Sequence, residues 1–413
     1  MEYGCIGKKL PHSFSKIIHE KIGSYSYELT ELTEQELTPF MEKREFKAIN
    51  VTIPYKQAVI SFLYEISPTA KAIGAVNTVV NRDGRLYGYN TDFYGMTSLL
   101  NKNNIELKNK KVAILGSGGT SKTSAAVAES LGAVEILRVS RSGKENSIVY
   151  EELYEKHSDI DVIINTTPVG MYPDIFESPI ELSHFKNLSG VADAVYNPLT
   201  TKLVQDARQL GITAQSGLYM LTAQAIRAYE IFMDKKADDG LLDSIFSDVL
   251  SSKKNIVLTG MPGSGKSTIG KAVAEKTGRE FIDTDEEIKK EIGMEISDYF
   301  ESFGERAFRD KETEIIKKIS ALSGVVIATG GGAVLREENV LALKMNGTLY
   351  YMDRPLEQLI PTSDRPLAST KEAIIKRYDE RIGIYLSSAD KKIKVNGICE
   401  DAVMQIEKEH FSR

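Results

Sequence analysis

With 413 residues the chain is longer than one hydrophobic core usually serves, so two or three domains are expected. A composition of 42% hydrophobic and 27% charged residues excludes a disordered or fibrous chain. The net charge of -6 argues against nucleic-acid binding, and no apolar run approaches the roughly 18 residues that span a bilayer. Cys5 and Cys399 lie near opposite ends, so neither a disulfide framework nor a zinc site is expected. The start, Met1-Glu-Tyr-Gly, lacks a signal peptide's basic and apolar regions, and a reducing cytoplasm fits all of this.

In chain order, Pro11-His-Ser13-Phe-Ser15 offers paired hydroxyls, and Asn50-Val-Thr52-Ile-Pro-Tyr-Lys56 puts a lysine just beyond a strand. Gly74-Ala-Val-Asn77-Thr precedes another strand, and Tyr89-Asn90-Thr-Asp92 closes the group. Singly these are caps, turns or a surface ion pair between Lys56 and Asp92. Together, hydroxyls, amides, one lysine and one aspartate suit a neutral polyol with one reacting carbonyl.

Lys111–Leu115 reads as a buried parallel strand, and Gly116-Ser-Gly118-Gly119-Thr-Ser121 then opens an Ala-rich helix. This is a dinucleotide turn in which Ser121 replaces the usual third Gly or Ala. The strand Glu135–Val139 ends at Ser140-Arg141-Ser142. An NAD-selective fold favours Asp or Glu there, whereas Arg141 suits the 2′-phosphate of NADP; a merely exposed arginine is the structural alternative. Asn165-Thr166-Thr-Pro-Val-Gly-Met171, Asp193-Ala-Val-Tyr196-Asn-Pro198 and Gly217-Leu-Tyr-Met220-Leu-Thr-Ala-Gln224 follow. The histidines, His12, His19, His157, His184 and His410, show no recurrent metal-ligand spacing.

As an ordered set these residues resemble shikimate dehydrogenase, up to about residue 235. The resemblance implies a split α/β substrate domain, residues 1–100 and 222–250, around a Rossmann NADP domain, residues 101–221. It implies reduction of 3-dehydroshikimate by NADPH, with Lys56 as acid/base at the carbonyl oxygen and Asp92 positioning it. Ser13, Ser15, Thr52, Asn77, Asn90, Tyr196 and Gln224 would bind substrate. Gly116, Gly118, Gly119, Ser140, Arg141 and Thr166 would hold NADP(H), with Gly217 and Met220 lining the nicotinamide.

A polar stretch from Met233 to Gly240 and an amphipathic segment, Leu241–Leu250, lead to Ser251-Ser-Lys-Lys254, where the main boundary is expected. The strand Asn255–Thr259 then enters Gly260-Met-Pro-Gly263-Ser264-Gly265-Lys266-Ser267-Thr268, a G-x4-G-K-[ST] phosphate loop opening a helix. Its backbone N–H groups suit the phosphates of ATP, Lys266 the β/γ-phosphates, and Ser267 a Mg²⁺ ion. Phe281-Ile-Asp283-Thr-Asp285 ends a second strand with two carboxylates, one suited to Mg²⁺ and one to an acceptor hydroxyl; helix capping is the structural alternative. Phe300, Phe303 and Phe308 are expected to face a core; Arg309 after them is placed to reach an anion beside the phosphate site, with a solvated surface arginine as the structural alternative.

Gly330-Gly331-Gly332 after an apolar strand, Asp364-Arg365-Pro366-Leu367, and Arg377-Tyr-Asp-Glu-Arg381-Ile-Gly-Ile-Tyr385 complete the pattern. These residues resemble shikimate kinase along nearly all of 254–413. The resemblance implies a lidded P-loop kinase with a parallel 2-3-1-4-5 sheet. Asp285 would orient the C3 hydroxyl of shikimate and accept its proton, and Asp283 would support Mg²⁺. Arg309, Arg381 and the Gly331–Gly332 backbone would hold carboxylate and hydroxyls, and Arg365 would close over the transferring phosphoryl. The lid from Leu359 to Pro366 is short and has no arginine upstream of Arg365.

The two resemblances name consecutive reactions on one small molecule, whose new hydroxyl must leave one site and re-orient in the other. Two other readings stay open: a kinase half acting on another polyol acid such as gluconate, or a non-catalytic nucleotide-binding half. Oligomeric state leaves no mark in the sequence.

Overall fold

The computed structural model describes residues 1–10, 13–144, 146–359, 371–397 and 399–411. It divides into a first unit, Met1–Val249, and a second, Leu250–Arg413. Both are α/β, as strands alternating with helices foretold.

The first unit holds two sheets. One is built from β1 (Tyr3–Gly7), β2 (Glu28–Glu31), β3 (Ala48–Val51), β4 (Glu65–Ile66), β5 (Thr78–Arg82) and β6 (Arg85–Tyr89), in the order β2-β1-β3-β5-β6-β4. β5 runs antiparallel to β3 and β6, and the other pairings are parallel. The second sheet comprises β7 (Lys111–Leu115), β8 (Glu135–Val139), β9 (Val162–Asn165), β10 (Gly190–Asp193) and β11 (Thr213–Gln215). It is parallel throughout, in the order β11-β10-β9-β7-β8. Its central strands are continuously apolar because helices cover both faces.

Two helices join these lobes. Asp92–Lys102 follows β6, yet Met96, Leu99 and Leu100 are buried with Val112, Ile114, Val162 and Ile164 of the second sheet. Leu218–Met233 returns to pack on that helix and on the helix Ser15–Ile22.

The second unit has β12 (Asn255–Thr259), β13 (Phe281–Asp283), β14 (Val326–Ala328), β15 (Gly347–Asp353) and β16 (Lys391–Lys394). All pairs are parallel in the order β13-β14-β12-β15-β16, which is 2-3-1-4-5 within the unit. Alternation along β12 feeds two cores. Ile256 and Leu258 pack with Ile269, Val273, Val403 and Ile406, while Val257 faces Ile315, Ile316, Ile319 and Leu343.

One expectation fails: Phe308 is buried and Phe300 half-buried, but Phe303 is 58% exposed. Gly304, at φ 83° and ψ 169°, breaks the helix Ile296–Ser320 and turns the preceding residue outward against Tyr299, ring centroids 4.7 Å apart.

Candidate active sites

In the first unit Lys56 lies on the turn after β3, its carbonyl taken by Val76 N at 2.8 Å. Its Nζ meets Oδ2 of Asp92 at 2.5 Å, with side chains only 12% and 9% exposed. Asp92 is the first residue of its helix, where the dipole favours a carboxylate. Nζ also lies 3.4 Å from Thr120 Oγ1, on the helix that the dinucleotide turn opens. A Cβ on Gly119 would sit 3.4 Å from Lys56 Cβ and Cδ. The ion pair therefore abuts the turn.

Beside it the amides interlock. Asn77 Nδ2 donates to Thr91 Oγ1 at 3.0 Å and Gln224 Oε1 at 3.5 Å, and its Oδ1 accepts from Thr91 N at 2.7 Å. Asn90 donates to Ala75 O at 3.0 Å and to Thr123 Oγ1 at 3.1 Å, which ties the two lobes together. Ser13 Oγ accepts from Ser15 N at 3.3 Å, opening the helix Ser15–Ile22. Tyr196, hydrogen-bonded to Ser13 and with its pKa pushed up to about 12 by burial, lays its ring 5.3 Å from that of Phe14. Thr52, half-buried, fills the space that Gly7 leaves: a Cβ there would meet Thr52 Cγ2 at 2.6 Å.

The dinucleotide turn explains its own departure from pattern. Ser121, fully buried, donates from Oγ to Gly116 O at 2.7 Å and so closes the turn. Gly116 has φ 118°, and a Cβ on it would lie 2.6 Å from Thr166 Oγ1, which itself donates to Leu115 O at 2.6 Å. Gly118 caps the helix Gly119–Ser130. Ser140 bonds Ser147 Oγ at 2.7 Å and accepts from Gly143 N at 3.1 Å, so it shapes the loop on which exposed Arg141 stands. Gly217 begins the helix Leu218–Met233, and Met220 is buried in the core between that helix and the second sheet. Bare turn, helix N-terminus and a nearby arginine fit a dinucleotide phosphate.

In the second unit Gly260, Gly263 and Gly265 have φ of 148°, 80° and 91°, the conformations a phosphate loop needs. Lys266, 7% exposed, folds across the loop to the carbonyls of Gly260 at 2.9 Å and Met261 at 3.0 Å. Ser264 Oγ is buried with no partner among the described residues, a polar atom that a phosphate oxygen would satisfy. Ser267 Oγ donates to Asp283 Oδ2 at 2.6 Å, and Asp283 Oδ1 caps the next helix through Asp285 N at 3.0 Å. A hydroxyl and a carboxylate so paired match the oxygen ligands of Mg²⁺. Thr268, the residue after the motif's Ser267, is exposed.

The triple-glycine turn is bare because charged groups lie against it. A Cβ on Gly330 would stand 2.5 Å from Asp285 Oδ1, and one on Gly332 would collide with the Arg309 guanidinium. A Cβ on Gly331 would stand 2.9 Å from Pro262 of the phosphate loop, and the Gly331 carbonyl accepts from Arg381 Nη1 at 3.2 Å and from the Tyr385 hydroxyl. Arg309 is held by Glu312 at 2.7 Å. Burial pushes the Glu312 carboxyl up, opposed by the Arg309 guanidinium and reinforced by Asp285. These groups cluster at the carboxyl ends of three neighbouring strands, where open α/β sheets bind ligands. Arg365 lies outside the described residues.

No role was assigned in sequence to Thr120, Thr123, Arg138, Glu312 or Arg354. Only Glu312 carried a signal, three residues after Arg309 on a helix. Arg138 reaches Ser121 Oγ at 3.4 Å and Ser117 O at 3.3 Å beside the dinucleotide turn.

The shikimate dehydrogenase (NADP(+)) of Clostridium beijerinckii is 38% identical over 260 residues, 59% of this chain and 96% of that protein. The chain belongs to the shikimate dehydrogenase family. The model of that family's substrate-binding domain matches residues 5–79, and the shikimate kinase model matches residues 262–409, so a kinase domain follows the dehydrogenase. A solved chorismate mutase/shikimate 5-dehydrogenase fusion from Clostridium acetobutylicum is similar, at 37% identity and a TM-score of 0.56, over 60% of this chain and 96% of that one. So is the Thermus thermophilus shikimate 5-dehydrogenase in complex with NADP(H) and shikimate, at 28% identity and 0.55, over 60% and 99%. Among the described residues no helix of this dehydrogenase–kinase chain is long and apolar enough to cross a membrane.

Proposed function

We propose that the chain reduces 3-dehydroshikimate to shikimate with NADPH and then phosphorylates shikimate to shikimate 3-phosphate with ATP, in the cytoplasm, serving aromatic amino acid synthesis. The observation that carries the first step is the Lys56–Asp92 pair at 2.5 Å against the dinucleotide turn. NADPH, when bound, supplies the hydride. Lys56 gives the carbonyl oxygen its proton as charge builds there, and Asp92 holds the ammonium in line. Asn77 and Gln224, fixed by Thr91, present amide groups to the ring hydroxyls, with Ser13, Ser15, Thr52 and Tyr196 completing the grip. The cation of Arg141, exposed on its loop, favours the phosphorylated form of the cofactor.

In the kinase half Asp285 takes the proton of the attacking hydroxyl, while Arg309 and Arg381 pair the substrate carboxylate. The hydroxyl of Ser267 and carboxylate of Asp283 would hold Mg²⁺, which when bound neutralises phosphate charge. Lys266 swings from its loop carbonyls to the phosphates. A polyol acid of other shape would lack a reason for the Asp285, Arg309 and Arg381 set around the glycine turn.

The test couples both steps in one cuvette. NADPH absorbance should fall with 3-dehydroshikimate, and ADP should appear once ATP is added. Lys56→Ala should slow the first by about 10²- to 10⁴-fold and leave ADP release intact when shikimate itself is supplied. Lys266→Ala should slow only the second. ADP release with gluconate and none with shikimate would overturn the kinase assignment.

A further inference from the structure

Arg354 follows β15 immediately, and β15 is the neighbour of β12, with Tyr351 opposite Thr259. The side chain therefore emerges at the same sheet edge as the phosphate loop. It lies on the flank opposite β14 and β13, whose ends carry the triple-glycine turn and Asp285. Its Nη1 lies 3.4 Å from Gly263 O, and 3.7 Å from where a Cβ on Gly265 would be.

Little satisfies this guanidinium. Its Nε is buried and without a partner among the described residues. The preceding Asp353 is paired with Lys392 at 2.8 Å, so it does not neutralise Arg354. No carboxylate stands within ion-pair distance of Arg354 among the described residues. Pro355 follows, and a residue before proline is confined to extended backbone, which fixes where the side chain starts. Five donors on a rigid planar cation, barely used beside a loop built for phosphate, lack only an anion.

We propose that Arg354 binds the phosphate chain of the nucleotide on the side away from the acceptor, gripping the non-transferred phosphates. The stretch from Leu359 to Asp364 supplies no arginine for that task, and the end of β15 supplies one instead. This rests on the P-loop kinase reading but not on shikimate as the acceptor.

ADP binding, measured on the full chain by titration calorimetry without acceptor, tests it. Arg354→Met should weaken ADP at least tenfold, and Arg354→Lys by a few-fold only. Inorganic pyrophosphate, as a competitor of ADP, should lose affinity in parallel with ADP. The KM for shikimate should stay within about twofold, which also shows that the Met variant folds. Unchanged ADP affinity in Arg354→Met would overturn the proposal, as would a loss for ADP with pyrophosphate affinity intact, which would mean contact with the base instead. Tight ADP binding without shikimate turnover in the unmodified chain would sink the acceptor assignment and leave Arg354 standing.

Discussion

His410 shows how one buried side chain sets a pH limit. Its Nδ1 lies 3.1 Å from the Tyr350 hydroxyl and its Nε2 3.1 Å from the Ser251 carbonyl, partners that the neutral ring satisfies without a second proton. Burial first, then the nearby Arg279 cation, lowers its pKa to about 4. The folded value lies below the unfolded one, so its stabilisation is complete above about pH 6.5 and is lost as pH falls toward 4. Between pH 7 and 5 the loss is at most about 2 kcal/mol. His410→Gln should flatten the fall in melting temperature of the kinase unit over that interval; parallel curves for the two proteins would refute it. Lys56, Asp92, Lys266 and Asp285 could be read in sequence because each sits in a fixed run of neighbours. Arg354 and Arg138 could not, since an arginine at a strand's end is ordinarily a solvated one, and only packing reveals what it faces.

Among elements, the strands were the most legible. β7, β12 and β14 run as their apolar stretches suggest, because burial on both faces demands nearly unbroken apolar residues. Phe303 was misjudged because periodicity assumes an intact helix, and Gly304 interrupts this one. The triple-glycine turn makes a sharper prediction. Gly332 has φ -105°, which alanine tolerates, yet a Cβ there would displace the Arg309 guanidinium, the far end of a flexible side chain. Gly332→Ala should fold, retain reductase activity, and raise the KM for shikimate in the kinase assay by roughly 10- to 100-fold, the worth of one charged hydrogen bond. The helix Leu241–Lys253 ends beyond the Leu250 boundary, and its last carbonyls serve the second unit. Arg279 donates to Ser251 O and Lys254 O, both at 2.6 Å, and Gly324 N donates to Lys253 O at 2.8 Å. A kinase piece beginning at residue 255 should therefore melt about 5–10 °C below one beginning at residue 250, as scanning calorimetry of the two would show.

For the whole chain, the α/β class and the 2-3-1-4-5 sheet followed from strand-turn-helix repetition and the resemblance together. What stayed hidden was how the helix Asp92–Lys102 shares itself. Its first residue reaches into the substrate lobe for Lys56, while Met96, Leu99 and Leu100 are anchored under the nucleotide sheet. Lys56 stands on the turn after β3, so a single helix links the ammonium's partner to the floor of the nucleotide sheet.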